Sequence, residues 1–152
     1  MIKIGIVGFG YWGPNLVRNF FNTKNCTVSY VADLREERLK VVKGLYPTIN
    51  ITKSLDEVFC NPEIDAVVIA TPVFTHYELA KKALQNGKSV LLEKPMTDSS
   101  AHAAELIELA NKSGKVLMVD HTFLYNGAIQ KIKNLVSGDG IGKINYFDST
   151  RI

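Results

Sequence analysis

The chain of 152 residues carries 18 lysines and arginines against 15 aspartates and glutamates, a net charge of +3, with 46% hydrophobic and 22% charged residues. That is an ordinary globular composition, long enough for one domain with a real core, and its small positive balance is not gathered into a stripe, so nucleic-acid binding gets no support. Cys26 and Cys60 form no Cys-x-x-Cys or Cys/His spacing, which leaves no metal motif and reads as two small buried residues in a reducing cytosol.

The chain opens on "MIKIGIVGFG", a strand and a turn with no signal peptide, and no apolar run approaches the roughly 20 residues that span a bilayer. A cytoplasmic protein without a membrane partner is therefore expected. Strands are expected over Ile2–Val7, Thr27–Ala32, Ile49–Thr52, Ala66–Ala70, Ser89–Leu92 and Val116–Val119. Several are apolar on both faces, as when helices cover a parallel sheet on each side.

Helical patterns fall between them. One starts near Trp12 with Pro14 in its first turn, and another runs from Arg35 to Gly44, a natural stop. "SLDE", Ser54 to Glu57, reads as a capping box for a short helix. Thr75 to Asn86 and Asp98 to Ser113 carry apolar residues at helical spacing, each followed by glycine. This alternation predicts an α/β fold, a doubly wound parallel sheet, over residues 1–120.

After the sixth strand the beat changes. Asn126 to Val136 reads as an amphipathic helix, "SGDGIG" as a turn and "KINYFDSTRI" as a strand without a partner. A lone terminal strand is an exposed edge that compact domains avoid, so residues 121–152 read as the helix and first strand of an incomplete second domain.

"GFGYWG" places Gly8, Gly10 and Gly13 in G-x-G-x-x-G spacing between a strand and a helix. In such a turn the first glycine allows the tight bend, the second lets a pyrophosphate approach, and the third allows close helix–strand packing. Methyltransferases and plain turns share the motif. Here Asp33 ends the next strand about 20 residues on, where a carboxylate can bind the adenosine ribose. Its charge repels a 2′-phosphate, which favours NAD, whereas Arg35 beside it is a group that accepts such a phosphate.

"LLEKPM" places Glu93, Lys94 and Pro95 at the carboxyl end of the fifth strand, and "IATPVFTH" places Thr71, Pro72 and His76 after the fourth. Ligands of doubly wound sheets bind beyond such ends. A lysine there can hydrogen-bond a hydroxyl or carbonyl oxygen and relay its proton as hydride moves. The plainer reading is a surface salt bridge and a loop proline, with a cis Lys94–Pro95 bond open to either.

"GFGYWGPN", "VAD", "IATPVFTH" and "LLEKPM", in this order, closely resemble the glucose-fructose oxidoreductase / inositol dehydrogenase / MocA (Gfo/Idh/MocA) family, over essentially the whole chain. "GYWGPNLVRNF" and "DHTFLYN" are similar to its nucleotide-sugar dehydrogenase branch. The resemblance implies a Rossmann cofactor domain followed by the start of a truncated α+β substrate domain. It implies that Gly8, Phe9, Gly10, Tyr11, Trp12 and Gly13 form the pyrophosphate loop, that Asp33 holds the ribose, and that Ala70, Thr71, Pro72 and His76 line the cofactor groove. Glu93 and Lys94 would lie by the nicotinamide, with Lys94 catalytic. The implied activity is an NAD-dependent dehydrogenase, NADP being the lesser alternative. It would act on a sugar, nucleotide-sugar or polyol, as a homo-oligomer when complete.

The sequence departs from the family pattern at "TFLYNGA", where Leu124 and Gly127 stand in place of the usual Arg and Pro. No residue beyond Ile152 supplies the family's substrate sheet or its Asp/His pair. Two other readings remain open: a stand-alone dinucleotide-binding or sensing module, which must cover Lys143 to Ile152, and a S-adenosylmethionine-binding domain, in which Glu-Lys-Pro has no task. His121 and Tyr125 are candidate proton-transfer groups, and His102 reads as an exposed helix residue.

Overall fold

The computed structural model describes residues 1–138 and 141–150. Six parallel strands form one sheet in the order β3-β2-β1-β4-β5-β6. They are β1 (Ile2–Val7), β2 (Cys26–Ala32), β3 (Asn50–Thr52), β4 (Ala66–Ile69), β5 (Ser89–Leu92) and β6 (Leu117–Val119). The helices are α1 (Gly13–Phe21), α2 (Glu36–Leu45), α3 (Asp56–Phe59), α4 (His76–Gln85), α5 (Ser100–Ser113) and α6 (Gly127–Ser137).

Side chains alternate across a strand, so each strand supplies both faces of the sheet. Ile4 and Ile6 of β1, Val31 of β2 and Val68 of β4 pack with Leu16 and Val17 of α1 and Val42 of α2. Val67 and Ile69 of β4 and Val90 and Leu92 of β5 point the other way, into Val58 and Phe59 of α3, Leu84 of α4 and Leu106 of α5. Each such side chain buried contributes roughly 1.5–3 kcal/mol. The apolar-on-both-faces strands of the sequence are thus the centre of a three-layer core.

From β1 the chain winds outward through β2 to β3, and β4 then returns to β1's other side. The strand order reverses there, and a crevice opens beyond the strand ends.

Several boundaries differ from those the sequence suggests. The capping box does not form: the N-cap of α3 falls on Leu55, which has no side-chain acceptor, and the Ser54 N–H that Glu57 would bond is turned back to Thr52 Oγ1 at 2.9 Å. Gly44 does not stop α2, which runs on to Leu45 and ends at Tyr46, whose N–H bonds Val42 O at 2.8 Å. Neither cysteine is buried: Cys60 is exposed and Cys26 is half-buried, its thiol 3.2 Å from Phe20 O.

The chain divides into two compact units, Met1–Asp120 and a second that begins at His121. In the second, Asn126 caps α6 by accepting from the Ala128 and Ile129 N–H groups, and Ile129, Ile132, Leu135 and Val136 of the helix are exposed. The strand expected over 143–152 is not formed in residues 143–150, because a strand needs a partner ladder and none pairs with it among the described residues; Arg151 and Ile152 lie outside them. No helix among the described residues is long and apolar enough to cross a membrane.

Candidate functional site

The turn after β1 is fixed by three contacts. Gly8 has φ +96°, and its N–H donates to Ala32 O at 2.8 Å. A Cβ on Gly8 would lie 2.5 Å from Ala70 O, so the turn is pressed against the end of β4. A Cβ on Gly13 would lie 2.5 Å from Gly8 O, which is the close approach of helix to strand that the third glycine allows. Around Gly10 the space is open, the nearest atom to such a Cβ being Arg35 Nη2 at 3.7 Å.

Phe9 divides its labour. Its ring is buried among Ile6, Leu16 and Val17 and anchors the loop, while its N–H donates to Asp33 Oδ2 at 2.7 Å. Beyond the loop, α1 has Trp12 at its N-cap, no side-chain cap and no acidic residue in its first turn. Its N-terminus therefore presents partial positive charge with no internal anion competing for it.

Asp33, 9% exposed at the end of β2, accepts four hydrogen bonds. Oδ2 takes the Phe9 N–H and Arg35 Nη2, and Oδ1 takes the Arg35 N–H at 2.9 Å and Arg35 Nε at 3.1 Å. Burial alone would raise its pKa, but the Arg35 side chain, the Arg35 N–H and the Phe9 N–H outweigh it and hold the carboxyl below its ordinary value.

On the other side of the turn, Thr71 and Pro72 follow β4, and Glu93 and Lys94 follow β5. A groove of about 710 Å³ runs from Asp33 past Gly8, Gly10, Tyr11 and Trp12 to Ala70, Thr71, Pro72, Glu93 and Lys94. Its volume is that of a cofactor site. It is also lined by Arg35, which the sequence set beside Asp33, and by Leu34, Leu55, Phe74 and Leu79, which the sequence did not single out. Leu34 and Phe74 are large apolar residues left exposed, and such residues beside strand ends are the signal that could have found them.

Three expected site residues stand elsewhere. Phe9 and Gly13 shape the loop without lining the groove, and His76 does not line it either: the ring is 1% exposed, behind the loop after β4. Sequence spacing put His76 at the right strand end, but α4 begins at His76 and turns the ring inward.

Lys94 is exposed, and its peptide bond to Pro95 is cis. Its N–H donates to Glu93 Oε2 at 3.1 Å, yet its Nζ forms no salt bridge or hydrogen bond among the described residues. The surface salt bridge of the plainer reading is absent there. Glu93 turns elsewhere: its Oε1 is buried without a donor, and Asp120, which follows β6 as Glu93 follows β5, bonds its backbone N–H to Leu92 O at 2.8 Å. Burial, then the adjacent Asp120 carboxyl, raise the pKa of Glu93 against the weaker pull of the Lys94 N–H and charge. Two ionised carboxylates cannot donate to each other, so a hydrogen bond between them requires one to carry a proton.

His121 and Tyr125 belong to the second unit and are exposed. His102 is half-buried, not exposed, and stacks on Tyr77 at 3.9 Å between centroids. Among the described residues no group of three or more His, Cys, Asp or Glu is placed to hold a metal. A second hollow of about 450 Å³, lined by Thr27, Ser29, Asn50, Asn61 and Glu63, shares no residue with the groove.

Residues 2–121 match the family model described as "Oxidoreductase family, NAD-binding Rossmann fold", of the Gfo/Idh/MocA group. The uncharacterized oxidoreductase YdgJ of Escherichia coli is 32% identical over 97% of this chain and 42% of its own length. The scyllo-inositol 2-dehydrogenase (NADP(+)) IolW of Bacillus subtilis is 29% identical over 96% of this chain and 40% of its own. Biliverdin reductase from Synechocystis sp. PCC 6803, solved with biliverdin and NADP+, superposes with a TM-score of 0.82 at 31% identity, covering 88% of this chain and 42% of that one. The chain thus spans about two fifths of the length of the relatives it matches.

Proposed function

This chain belongs to the Gfo/Idh/MocA oxidoreductase family, with an NAD-binding Rossmann fold, and on that premise we propose that it is the cofactor-holding part of an NAD-dependent dehydrogenase acting on a CH–OH group of a sugar, nucleotide-sugar or polyol. The observation that carries the reading is the continuous groove from the buried Asp33 carboxylate to the free Lys94 ammonium, with the open glycine turn and uncapped helix between them.

The residues present fit a dinucleotide. Asp33 would accept from the adenosine ribose hydroxyls, and Gly10 with the start of α1 would receive the pyrophosphate, since side chains leave that space open. Ala70, Thr71, Pro72 and Glu93 would line the other half. A bound nicotinamide supplies the two-electron acceptor or donor. As an ammonium, Lys94 Nζ would donate to a carbonyl oxygen and give it a proton on reduction; as a neutral amine, it would take the proton of a hydroxyl on oxidation. We prefer NAD to NADP because a carboxylate at Asp33 would repel a 2′-phosphate.

The test is Lys94→Ala in the full-length protein, with turnover and NADH affinity measured separately. Turnover should fall by about 10²–10⁴-fold, the usual worth of a positioned acid–base group, with NADH affinity little changed. Unaltered turnover would remove Lys94 from the chemistry.

A further inference from the structure

His76 Nδ1 lies 2.9 Å from Pro95 O, and Nε2 lies 2.9 Å from Thr71 O. Both partners are backbone carbonyls, which only accept. A neutral imidazole has one N–H and one lone pair, so it satisfies one carbonyl and turns a lone pair on the other. Only a ring protonated at both nitrogens donates to both.

The two carbonyls sit on different turns. Thr71 follows β4 and Pro95 follows β5, and the last ladder bond between these segments runs from the Glu93 N–H to Ile69 O at 3.0 Å. Beyond it the imidazole continues the connection. The ring itself is held by its place at the start of α4 and by its burial. Thr75 Oγ1 steadies the first turn, bonding Pro72 O and Thr71 Oγ1, each at 2.7 Å. The charged side chains nearest in sequence are Glu78 and Lys81 on α4, and Glu93, Lys94 and Asp98 around Pro95. None of them hydrogen-bonds the ring among the described residues.

We propose that His76 is a positioning residue, whose buried ring donates from both nitrogens to clasp the Thr71–Pro72 turn to the Lys94–Pro95 turn, and so sets the wall of the groove that receives the nicotinamide half. The proposal rests on the dinucleotide reading above. His76 does not itself line the groove and acts through the two turns, whereas the adenosine half would be held from β1, β2 and α1.

The test titrates the chain and its His76→Ala variant with NADH and with ADP-ribose, which keeps the adenosine and both phosphates but lacks nicotinamide. The variant should weaken NADH by about tenfold, the order of one net hydrogen bond, and leave ADP-ribose within about twofold. Equal loss of both ligands, or NADH binding unchanged, overturns the proposal. If the unaltered chain binds neither ligand, the dinucleotide reading fails and the proposal with it. The ¹⁵N spectrum of the unaltered chain gives a second, independent reading. Two protonated-type ring resonances for His76 are expected, and the split pair of a neutral tautomer would overturn the two-sided clasp.

Discussion

Arg35 occupies the acceptor sites of Asp33 that a ribose would need. Its Nε and Nη2 each lie 3.1 Å from a different oxygen of the carboxylate, and the N–H groups of Arg35 and Phe9 take the rest. A carboxylate has about four acceptor sites, so all are filled. Ribose binding must therefore displace the guanidinium, which is half exposed and free to swing. Arg35→Met should tighten NADH by several-fold, because two charge-assisted bonds worth roughly 1.5–3 kcal/mol in favourable settings no longer compete, the exposed position placing the gain at or below that range. NADPH affinity should not rise, since the cation paired with Asp33 among the described residues is lost. Paired titrations of the variant with both nucleotides check this.

Glu93 makes stability depend on pH. Its carboxyl titrates above its ordinary 4.5 because of burial and then Asp120, so the folded chain holds that proton to higher pH than the unfolded chain does. Where the folded state binds more protons, stability falls as pH rises. The contribution is fully present below 4.5 and is lost as pH climbs through the raised value. Glu93→Gln removes it, and the variant should gain stability relative to the parent between acid and neutral pH. Thermal melts of both proteins across that window measure the crossing.

Gly13→Ala tests the close approach of α1 to β1. The new Cβ would lie 2.5 Å from Gly8 O, a backbone atom that cannot rotate away. Overpacking of this kind costs about 1–3 kcal/mol. A loss in that range by chemical denaturation is expected, together with weaker NADH binding, because the strain falls on the glycine turn itself.

Lys88 is 5% exposed, and its Nζ donates to Asn61 O at 2.5 Å and Ile64 O at 2.7 Å. It ties the loop before β4 to the start of β5. Burial lowers its pKa, the cost of holding an ammonium there. Lys88→Met keeps the bulk but leaves two carbonyls without their donor, and an unsatisfied buried group costs about 1–3 kcal/mol. Denaturation should show such a loss with NADH affinity unchanged, since this loop lies outside the groove.

The parallel sheet and its order of elements were legible because several strands carry apolar residues on both faces, as Val67, Val68 and Ile69 do in β4. Glycine spacing and a strand-end acid likewise pointed to Gly8, Gly10 and Asp33, which line the groove, since backbone approach and charge leave residue-type signatures. What stayed hidden depends on contacts between segments distant in sequence. His76 reads as a groove residue until α4 turns its ring inward, and Ser54 reads as a cap until Thr52 takes its N–H. Leu34 and Phe74 have no periodicity to betray them, because each stands on a turn. The terminal segment reads as a strand, and residues 143–150 show that such a reading is not enough without a ladder to join.

The most direct measurement is an NADH titration of the ¹⁵N-labelled chain, read residue by residue from backbone amide shifts. The expected result is saturable shifts at Gly8, Gly10, Tyr11, Trp12 and Gly13, at Asp33 and Arg35, and at Thr71, Glu93 and Lys94, with smaller effects elsewhere. No shift at saturating NADH, or shifts gathered around Thr27, Ser29 and Asn50 in the second hollow, would contradict the assignment of the strand-end groove as the dinucleotide site.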